Sequence, residues 1–319
     1  MSAGSCFAAN IRRYIEAQGL VYTVSEQNHP LWPEAAENPY YEAFSARYGN
    51  IYTPRHMVQI LQRALGSFSP TEEYWAIEGV YVDPYRPGLR HPARSLDEFR
   101  ALTAQHLRAV VRAVEQSTVF IFTLGLTEAW ESLVDHAVFP ACPGTVAGEF
   151  DPLRHGFRTF DVQEVSADLR DMIRLARSIQ PSLRVILTVS PVPLVATATG
   201  RHVLTATTYS KAVLRIAAEE VANSVPNVAY FPAYELVSGP QAAGTSYEQD
   251  RRNVTEEAVA TVMSAFFTVF LGTESARYAE RERVPQENRR DSVKPDSEAL
   301  RTLVADAIQA SCDEEMMES

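Results

Sequence analysis

The feature that most constrains the fold is an alternation of short apolar segments with longer segments of helical periodicity. Two of the short segments, Val119–Leu124 and Val185–Val189, are apolar along almost their whole length. Both faces of such strands are expected to be buried, as in a parallel sheet covered by helices. Strand–helix alternation of this kind indicates an α/β fold, a three-layer αβα sandwich with a central parallel sheet.

The periodicity predicts strands and helices along most of the chain. The predicted strands are Leu20–Val24, Tyr74–Val82, Val119–Leu124, Arg184–Val189 and Val228–Phe231. The predicted helices are Phe7–Ala17, Pro54–Leu65, Ser95–Glu115, Val162–Ser178, Thr207–Asn223 and Thr255–Phe270. These elements form one predicted domain over residues 1–272, and residues 273–319 form a charged linker and a C-terminal helical tail. We expect the tail to pack back onto the domain or to contact a protein partner.

Composition argues against several classes of function. The 319-residue chain has a formal net charge of -11, which argues against a nucleic-acid partner. Its three cysteines, Cys6, Cys142 and Cys312, show no metal-ligand spacing, so we expect neither disulfides nor a metal site. Because no signal peptide, membrane-spanning run or phosphate-binding Gly-rich loop is visible, we expect a cytoplasmic protein with no membrane span and no cofactor.

The first reactive loop begins at Ser5. Ligands of open parallel sheets bind at the carboxyl ends of the strands, where loops lead into helices. A serine at a helix N-terminus lies among backbone N–H groups, which suits a nucleophile and its oxyanion, although the same position fits an N-cap. Cys6 is a competing nucleophile, but we expect the residue after Ser5 to point into the fold as a small buried cysteine.

Two further loops carry groups that suit an oxyanion or a substrate. Gly49 allows a close backbone approach and the Asn50 amide can donate a hydrogen bond, although the pair also fits a simple turn. Thr127 and Glu128 follow a buried strand at a point where a helix is expected to start, so both also fit helix capping.

Two histidines lie on loops near the same predicted strand ends. His202 follows a core strand on a Gly/Thr-rich loop, and His155 ends a long irregular connection. Long loops in compact domains are often functional. A lone histidine on such a loop can equally be structural, and the spacing does not distinguish the two.

Six segments in the same order resemble the GSCFA family. They are Gly4–Ala8, Tyr48–Thr53, Phe122–Trp130, Leu187–Pro191, Ser210–Ala212 and Tyr230–Glu235. The family looks like a branch of the SGNH (GDSL-like) hydrolases, flavodoxin-like three-layer folds that host esterases and carbohydrate O-acyl esterases or acyltransferases. The resemblance covers residues 4 to 272 and implies a carbohydrate or acyl-ester substrate.

The resemblance also implies roles for individual residues. Ser5 corresponds to the nucleophile, and Gly49 would supply an oxyanion N–H. Gly125 matches the glycine of the third block, in which Thr127 replaces the usual asparagine donor. A hydroxyl can still donate one hydrogen bond.

The final block departs from the family pattern. It normally carries an aspartate and a histidine three residues apart, but here Asp250 is followed by Asn253. A carboxamide cannot remove the Ser5 proton near neutral pH. The general base therefore comes from elsewhere, with His202 preferred to His155, or the chain no longer hydrolyses esters and instead binds a carbohydrate or protein partner.

Overall fold

The computed structural model describes residues 1–27, 44–89, 92–240, 242 and 246–271. The strands in these ranges are β1 (Ser2–Gly4), β2 (Trp75–Ile77), β3 (Val80–Val82), β4 (Val119–Leu124), β5 (Glu128–Ser132), β6 (Val138–Phe139), β7 (His155–Thr159), β8 (Arg184–Val189) and β9 (Val228–Phe231). The α-helices are α1 (Ile11–Ala17), α2 (Pro54–Ala64), α3 (Leu96–Glu115), α4 (Val162–Ile179), α5 (Val203–Ser224), α6 (Ala233–Ser238) and α7 (Glu256–Leu271). A 3₁₀ helix, Cys6–Asn10, precedes α1.

The central sheet is parallel and four-stranded in the order β1-β4-β8-β9. Helices α2, α3 and α4 contact one another and α5 packs against α4, while α7 contacts α6 and is tied to α1 by hydrogen bonds from Arg13 and Tyr14 to Glu256. The sheet is buried between helices because its strands are apolar on both faces: Phe120, Phe122 and Leu187 are fully buried. The predicted three-layer α/β sandwich is confirmed.

The strand predicted over Leu20–Val24 is wrong, and β1 takes a place at the sheet edge instead. β1 has only three residues, paired in parallel with Ile121–Thr123 of β4. On its other side the Ser2 N–H donates to the Ser45 hydroxyl at 3.0 Å, and the Tyr48 hydroxyl donates to the Ser2 carbonyl. These side chains satisfy the backbone groups that a neighbouring strand would otherwise pair.

Two small antiparallel sheets lie beside the central one. The strand predicted over Tyr74–Val82 is a hairpin, β2–β3, because Glu78 and Gly79 turn the chain with positive φ angles. The second sheet, in the order β6-β5-β7, follows β4 directly. The helix expected to start at Thr127 and Glu128 is therefore wrong, since β5 begins at Glu128.

The predicted helices are confirmed with shifts of one to four residues at their ends, except that the first part of the helix predicted over Phe7–Ala17 is the 3₁₀ helix Cys6–Asn10. Local capping explains several of the boundaries. Thr53, Ser95 and Thr255 accept hydrogen bonds from backbone N–H groups three residues later. The helix predicted from Thr207 begins earlier, at Val203, because the preceding residue already serves as its cap. No helix within the described ranges is both long and apolar enough to cross a bilayer. The predicted tail, 273–319, lies outside the described residues.

Candidate active site

The carboxyl ends of three neighbouring strands meet at Ser5. Ser5 follows β1, Gly125 follows β4, and Val192–Val195 belong to the loop after β8. With Cys6 and Tyr52, they line a small pocket of about 30 Å³; the full lining is Ser5, Cys6, Tyr52, Gly125, Leu126, Val192, Pro193, Leu194, Val195 and Arg252. Most of these side chains are apolar, and Arg252 is the charged one. The fold therefore places Ser5 at the strand ends, where ligands of parallel sheets bind.

Backbone hydrogen bonds hold the second loop against this strand edge. The Ile51 N–H donates to the Gly4 carbonyl at 2.8 Å, and the Gly125 and Leu126 N–H groups donate to the Tyr52 carbonyl at 3.1 and 2.9 Å. The loop before α2 is thereby fixed to the ends of both β1 and β4. Because the Gly125 N–H is already engaged, its carbonyl is the polar backbone group that it presents to other side chains.

The Ser5 hydroxyl is buried in this pocket. Ser5 is 3% exposed, and its Oγ has no partner among the residues that the structure describes. A buried unsatisfied hydroxyl costs about 1–3 kcal/mol, and such groups in folded proteins call for an explanation. Ser5 occupies the N-cap position of the 3₁₀ helix that follows, but its side chain makes no capping hydrogen bond to that helix.

Lys211 of α5 reaches the Gly125 carbonyl without lining the Ser5 pocket itself. Its side chain is 1% exposed, and its Nζ donates to the Gly125 carbonyl at 2.8 Å. A Cβ built on Gly125 would lie only 2.9 Å from the Ser5 Cβ, so the lysine and the serine approach one glycine. Burial lowers the pKa of Lys211 to about 7, and the nearby Cys6 thiol opposes this shift.

The two histidines proposed as general bases form hydrogen bonds with residues other than Ser5. His202 is exposed and caps α5, where its Nδ1 accepts the Leu204 N–H at 3.3 Å. His155 is buried in the small sheet, with its Nε2 3.0 Å from a Glu72 carboxylate oxygen and its Nδ1 accepting the Asp151 N–H. The structure brings neither ring into hydrogen-bond contact with the Ser5 hydroxyl. Their catalytic role stays a prediction.

Asp250 and Asn253 bind each other on an exposed turn. The Asn253 side-chain amide donates to one Asp250 carboxylate oxygen at 2.6 Å, and the N–H groups of Arg252 and Asn253 donate to the other at 2.9 and 3.0 Å. This arrangement presents Arg252, which lies between them, to the Ser5 pocket. The aspartate orients a carboxamide rather than an imidazole.

The remaining predicted residues do not line the pocket. Gly49 has a positive φ of 65°, and the Oδ1 of Asn50 is buried without a partner among the described residues. Thr127 is fully buried; its N–H donates to the Ser210 hydroxyl at 3.0 Å, and its Oγ1 has no described partner. Glu128 accepts hydrogen bonds from Thr197 at 2.8 and 2.9 Å, and burial raises its pKa.

Cys6 differs from its expected position. It is half-buried and lines the Ser5 pocket, whereas the next two residues, Phe7 and Ala8, enter the core. The 3₁₀ geometry after Ser5 is the cause, since it directs Phe7 rather than Cys6 inward. In the described ranges, no three His, Cys, Asp or Glu side chains converge in a way that could hold a metal ion.

The GSCFA family profile matches residues 1–266, which span the central sheet and all of the pocket-lining residues. The chain belongs to the GSCFA family. A comparison with curated proteins gives no match.

Most of the pocket-lining residues of this GSCFA site were not predicted as site residues, and neither was Lys211. Tyr52 lies within a segment that resembles the family, but its backbone carbonyl binds the Gly125 and Leu126 N–H groups, and no side-chain pattern reveals that. Lys211 carried a usable signal: it stands in the apolar stripe of α5, three and seven residues before the buried Leu214 and Ala218. A lysine within a buried helical stripe is rare unless it has a specific partner.

Proposed function

We propose that this GSCFA protein is a serine-dependent acyl esterase or O-acyltransferase that acts on a carbohydrate, with Ser5 as the nucleophile. The observation that carries the proposal is the buried Ser5 hydroxyl, which lines a pocket at the strand ends and has no described hydrogen-bond partner. A nucleophile kept free of structural hydrogen bonds is available to a substrate. We infer the carbohydrate substrate from the resemblance to SGNH hydrolases.

The pocket favours a short acyl group. Its volume is about 30 Å³, and Leu126, Val192 and Leu194 form apolar walls next to Ser5. An acetyl methyl group fits such a space, whereas a long acyl chain requires the loop after β8 to move. Arg252 is the charged side chain in the lining, and its guanidinium can balance the negative charge that develops on the acyl oxygen.

A covalent probe tests the nucleophile directly. Incubation with a small alkyl fluorophosphonate is expected to add one adduct per chain, and peptide mass spectrometry is expected to place it on Ser5. Ser5→Ala should abolish the adduct and lower hydrolysis of 4-nitrophenyl acetate by about a thousandfold or more. Ser182→Ala is the matched control, because Ser182 is exposed and lies at the opposite end of β8. This variant should keep both the adduct on Ser5 and the rate of ester hydrolysis.

Two further measurements define the substrate. The rate with 4-nitrophenyl esters should fall from acetyl to butyryl to octanoyl, because the pocket walls close around a short chain. Release of acetate from an O-acetylated oligosaccharide, or its transfer to a second oligosaccharide, separates hydrolysis from transfer. Absence of any adduct on Ser5, or unchanged ester hydrolysis in Ser5→Ala, would contradict the proposal.

A second candidate function is a binding module that has lost catalysis. The observation that favours it is the Asp250–Asn253 pair, in which an amide occupies the place of the usual histidine. Under this alternative the fluorophosphonate leaves Ser5 unmodified, while an O-acetylated oligosaccharide still binds in isothermal titration calorimetry. A substitution that fills the pocket, Val192→Trp, should then weaken binding.

A further inference from the structure

Lysine is rare in this chain, and one of its lysines is buried beside Ser5. The sequence contains two lysines, Lys211 and Lys294, against 27 arginines. Arginine stays protonated at every pH that a protein survives, whereas a buried lysine can lose its proton and act as a base. Lys211 is therefore a basic side chain that can lose its proton.

Contacts on both sides of Gly125 connect Lys211 with Ser5. The Lys211 Nζ donates to the Gly125 carbonyl at 2.8 Å, and the Gly125 backbone lies against the Ser5 side chain so closely that a Cβ there would approach the Ser5 Cβ to 2.9 Å. The Cys6 thiol, next to Ser5 in sequence, is near enough to act electrostatically on the lysine. The Lys211 Nζ does not hydrogen-bond the Ser5 Oγ in this structure, but catalytic hydrogen bonds often tighten only when substrate is bound.

The surroundings of Lys211 favour its neutral form. The side chain is 1% exposed, it forms no ion pair with a carboxylate of the described residues, and the Gly125 carbonyl is its hydrogen-bond acceptor there. Burial disfavours an uncompensated ammonium and lowers the pKa of Lys211 to about 7. Cys6 opposes this shift, because a negative charge on its sulfur as a thiolate would stabilise the Lys211 ammonium.

We propose that Lys211, rather than a histidine, is the general base that accepts the proton of Ser5. This inference rests on the proposed function. The Ser5 O–H bond breaks and its proton moves to the lone pair of the Lys211 Nζ, while Oγ bonds to the acyl carbon and the carbonyl electrons move to oxygen. As the tetrahedral intermediate collapses, the ester C–O bond breaks, and the leaving alcohol takes the proton from the Lys211 ammonium.

The second half of the reaction uses the same proton carrier. Water or a sugar hydroxyl gives its proton to neutral Lys211 and attacks the acyl group on Ser5. The bond between the acyl carbon and the Ser5 Oγ then breaks, and Oγ recovers the proton from Lys211, which returns both residues to their starting state. This role explains how the chain can keep a serine nucleophile although Asn253 occupies the usual histidine position.

Nuclear magnetic resonance can measure the protonation of Lys211 in the intact chain. Protein labelled with ¹³Cε-lysine should give two side-chain signals, and Lys294→Arg assigns them by removing one. We expect the Lys211 signal to titrate near neutral pH, far below the ordinary lysine value of about 10.4. A Lys211 signal that titrates only near the ordinary value would overturn the proposal, and this test needs no variant at position 211.

The rate of fluorophosphonate labelling at Ser5 links that protonation to chemistry. In the wild-type chain the rate should rise with pH through the same midpoint as the Lys211 signal, because only the neutral amine accepts a proton. Lys211→Met, which has similar length and apolar character, should lower the rate by about 100- to 10,000-fold and remove the pH step. Lys294→Met is the matched control and should preserve both the rate and the step.

The outcomes separate this inference from the proposed function. If wild-type Ser5 is never labelled, the proposed function fails. If wild-type Ser5 is labelled but folded Lys211→Met reacts at the same rate with the same pH profile, the general-base role alone is refuted. A purely structural lysine that only holds Gly125 would lower the rate in Lys211→Met without removing the pH step, and that result also counts against the role.

Discussion

Gly125 is the residue at which the parts of the candidate site meet. Its N–H donates a hydrogen bond to the Tyr52 carbonyl, and its own carbonyl accepts a hydrogen bond from the Lys211 Nζ. Its Cα faces the Ser5 side chain. A side chain has no room here: a Cβ would lie 2.9 Å from the Ser5 Cβ and 3.1 Å from the Tyr52 carbonyl oxygen. Glycine is required by close approach rather than by an unusual φ angle.

We therefore expect Gly125→Ala to displace Ser5. Overpacking of a tight contact costs about 1–3 kcal/mol, and misplacement of a nucleophile should slow fluorophosphonate labelling about tenfold or more. Gly88→Ala is the matched control, because a Cβ at Gly88 meets nothing within 4 Å. Thermal unfolding and labelling rates measure the two effects. Equal behaviour of the two alanine variants would show that Gly125 does not position Ser5.

At the scale of elements, α4 is fixed by signals at its own beginning. Asp161 accepts the Glu164 N–H at 2.9 Å, and the Glu164 side chain accepts the Asp161 N–H at 3.1 Å. This reciprocal pair satisfies N–H groups that a helix start leaves without intrahelical partners. α4 contacts both α2 and α5, and α5 carries Lys211. The stability of the start of α4 therefore affects the helix layer to which Lys211 belongs.

Removal of this cap should destabilise the domain without affecting the chemistry. Asp161→Ala is expected to lower the free energy of unfolding by about 1 kcal/mol, as measured by urea unfolding. Asp161→Asn retains a capping oxygen and should lose much less. Ser5 labelling should be unchanged in both variants. If Asp161→Asn is as unstable as Asp161→Ala, the carboxylate charge rather than the cap stabilises the helix start.

At the scale of the whole molecule, a buried ionic cluster ties the β2–β3 hairpin region to α2. Asp83 lies 2.8 Å from Arg86 and 3.9 Å from Arg63 of α2, and all three side chains are almost fully buried. Burial alone would raise the pKa of Asp83, but Arg86 and Arg63 together lower it to about 2. The carboxylate therefore binds its proton less readily in the folded than in the unfolded chain.

This shift predicts a stability loss in acid. The ordinary pKa of Asp83 is 3.8 and its folded value is about 2, so its contribution is complete above the ordinary pKa. The contribution is lost as pH falls towards the folded value, because the unfolded chain then binds the extra proton. Asp83→Asn should lower the free energy of unfolding near neutral pH. Between these two pKa values, a plot of that free energy against pH should be less steep than for the wild-type chain, because one proton fewer is taken up on unfolding.

The exposed variant Asp171→Asn provides the comparison for Asp83→Asn. Asp171 belongs to an ion pair on the surface of α4, 53% exposed at its side chain, where solvent screens the charges. Its substitution should leave both the stability and the acid slope nearly unchanged. Identical acid slopes in the wild-type chain and Asp83→Asn, measured by urea unfolding at several pH values, would contradict the cluster's role.

The amino-acid sequence alone determined the helices and strands whose signals are local. The apolar runs of β4 and β8 specify strands buried on both faces, and Thr53, Ser95 and Thr255 mark helix starts because a cap and the N–H it binds lie three residues apart. Gly125 could also be expected at the carboxyl-end edge of the sheet, since it follows the predicted strand Val119–Leu124. These features follow from periodicity and short-range hydrogen bonding, which a sequence displays directly.

Only the tertiary structure decided which groups meet at Ser5. β1 exists as a strand because Ser45 and Tyr48 satisfy its outer edge, and a three-residue segment cannot show this from its own composition. Lys211 binds the Gly125 carbonyl across 86 positions, whereas the proposed base His202 caps its own helix. Long-range contacts of this kind depend on how the layers pack, because packing fixes both the distance and the desolvation of each polar group.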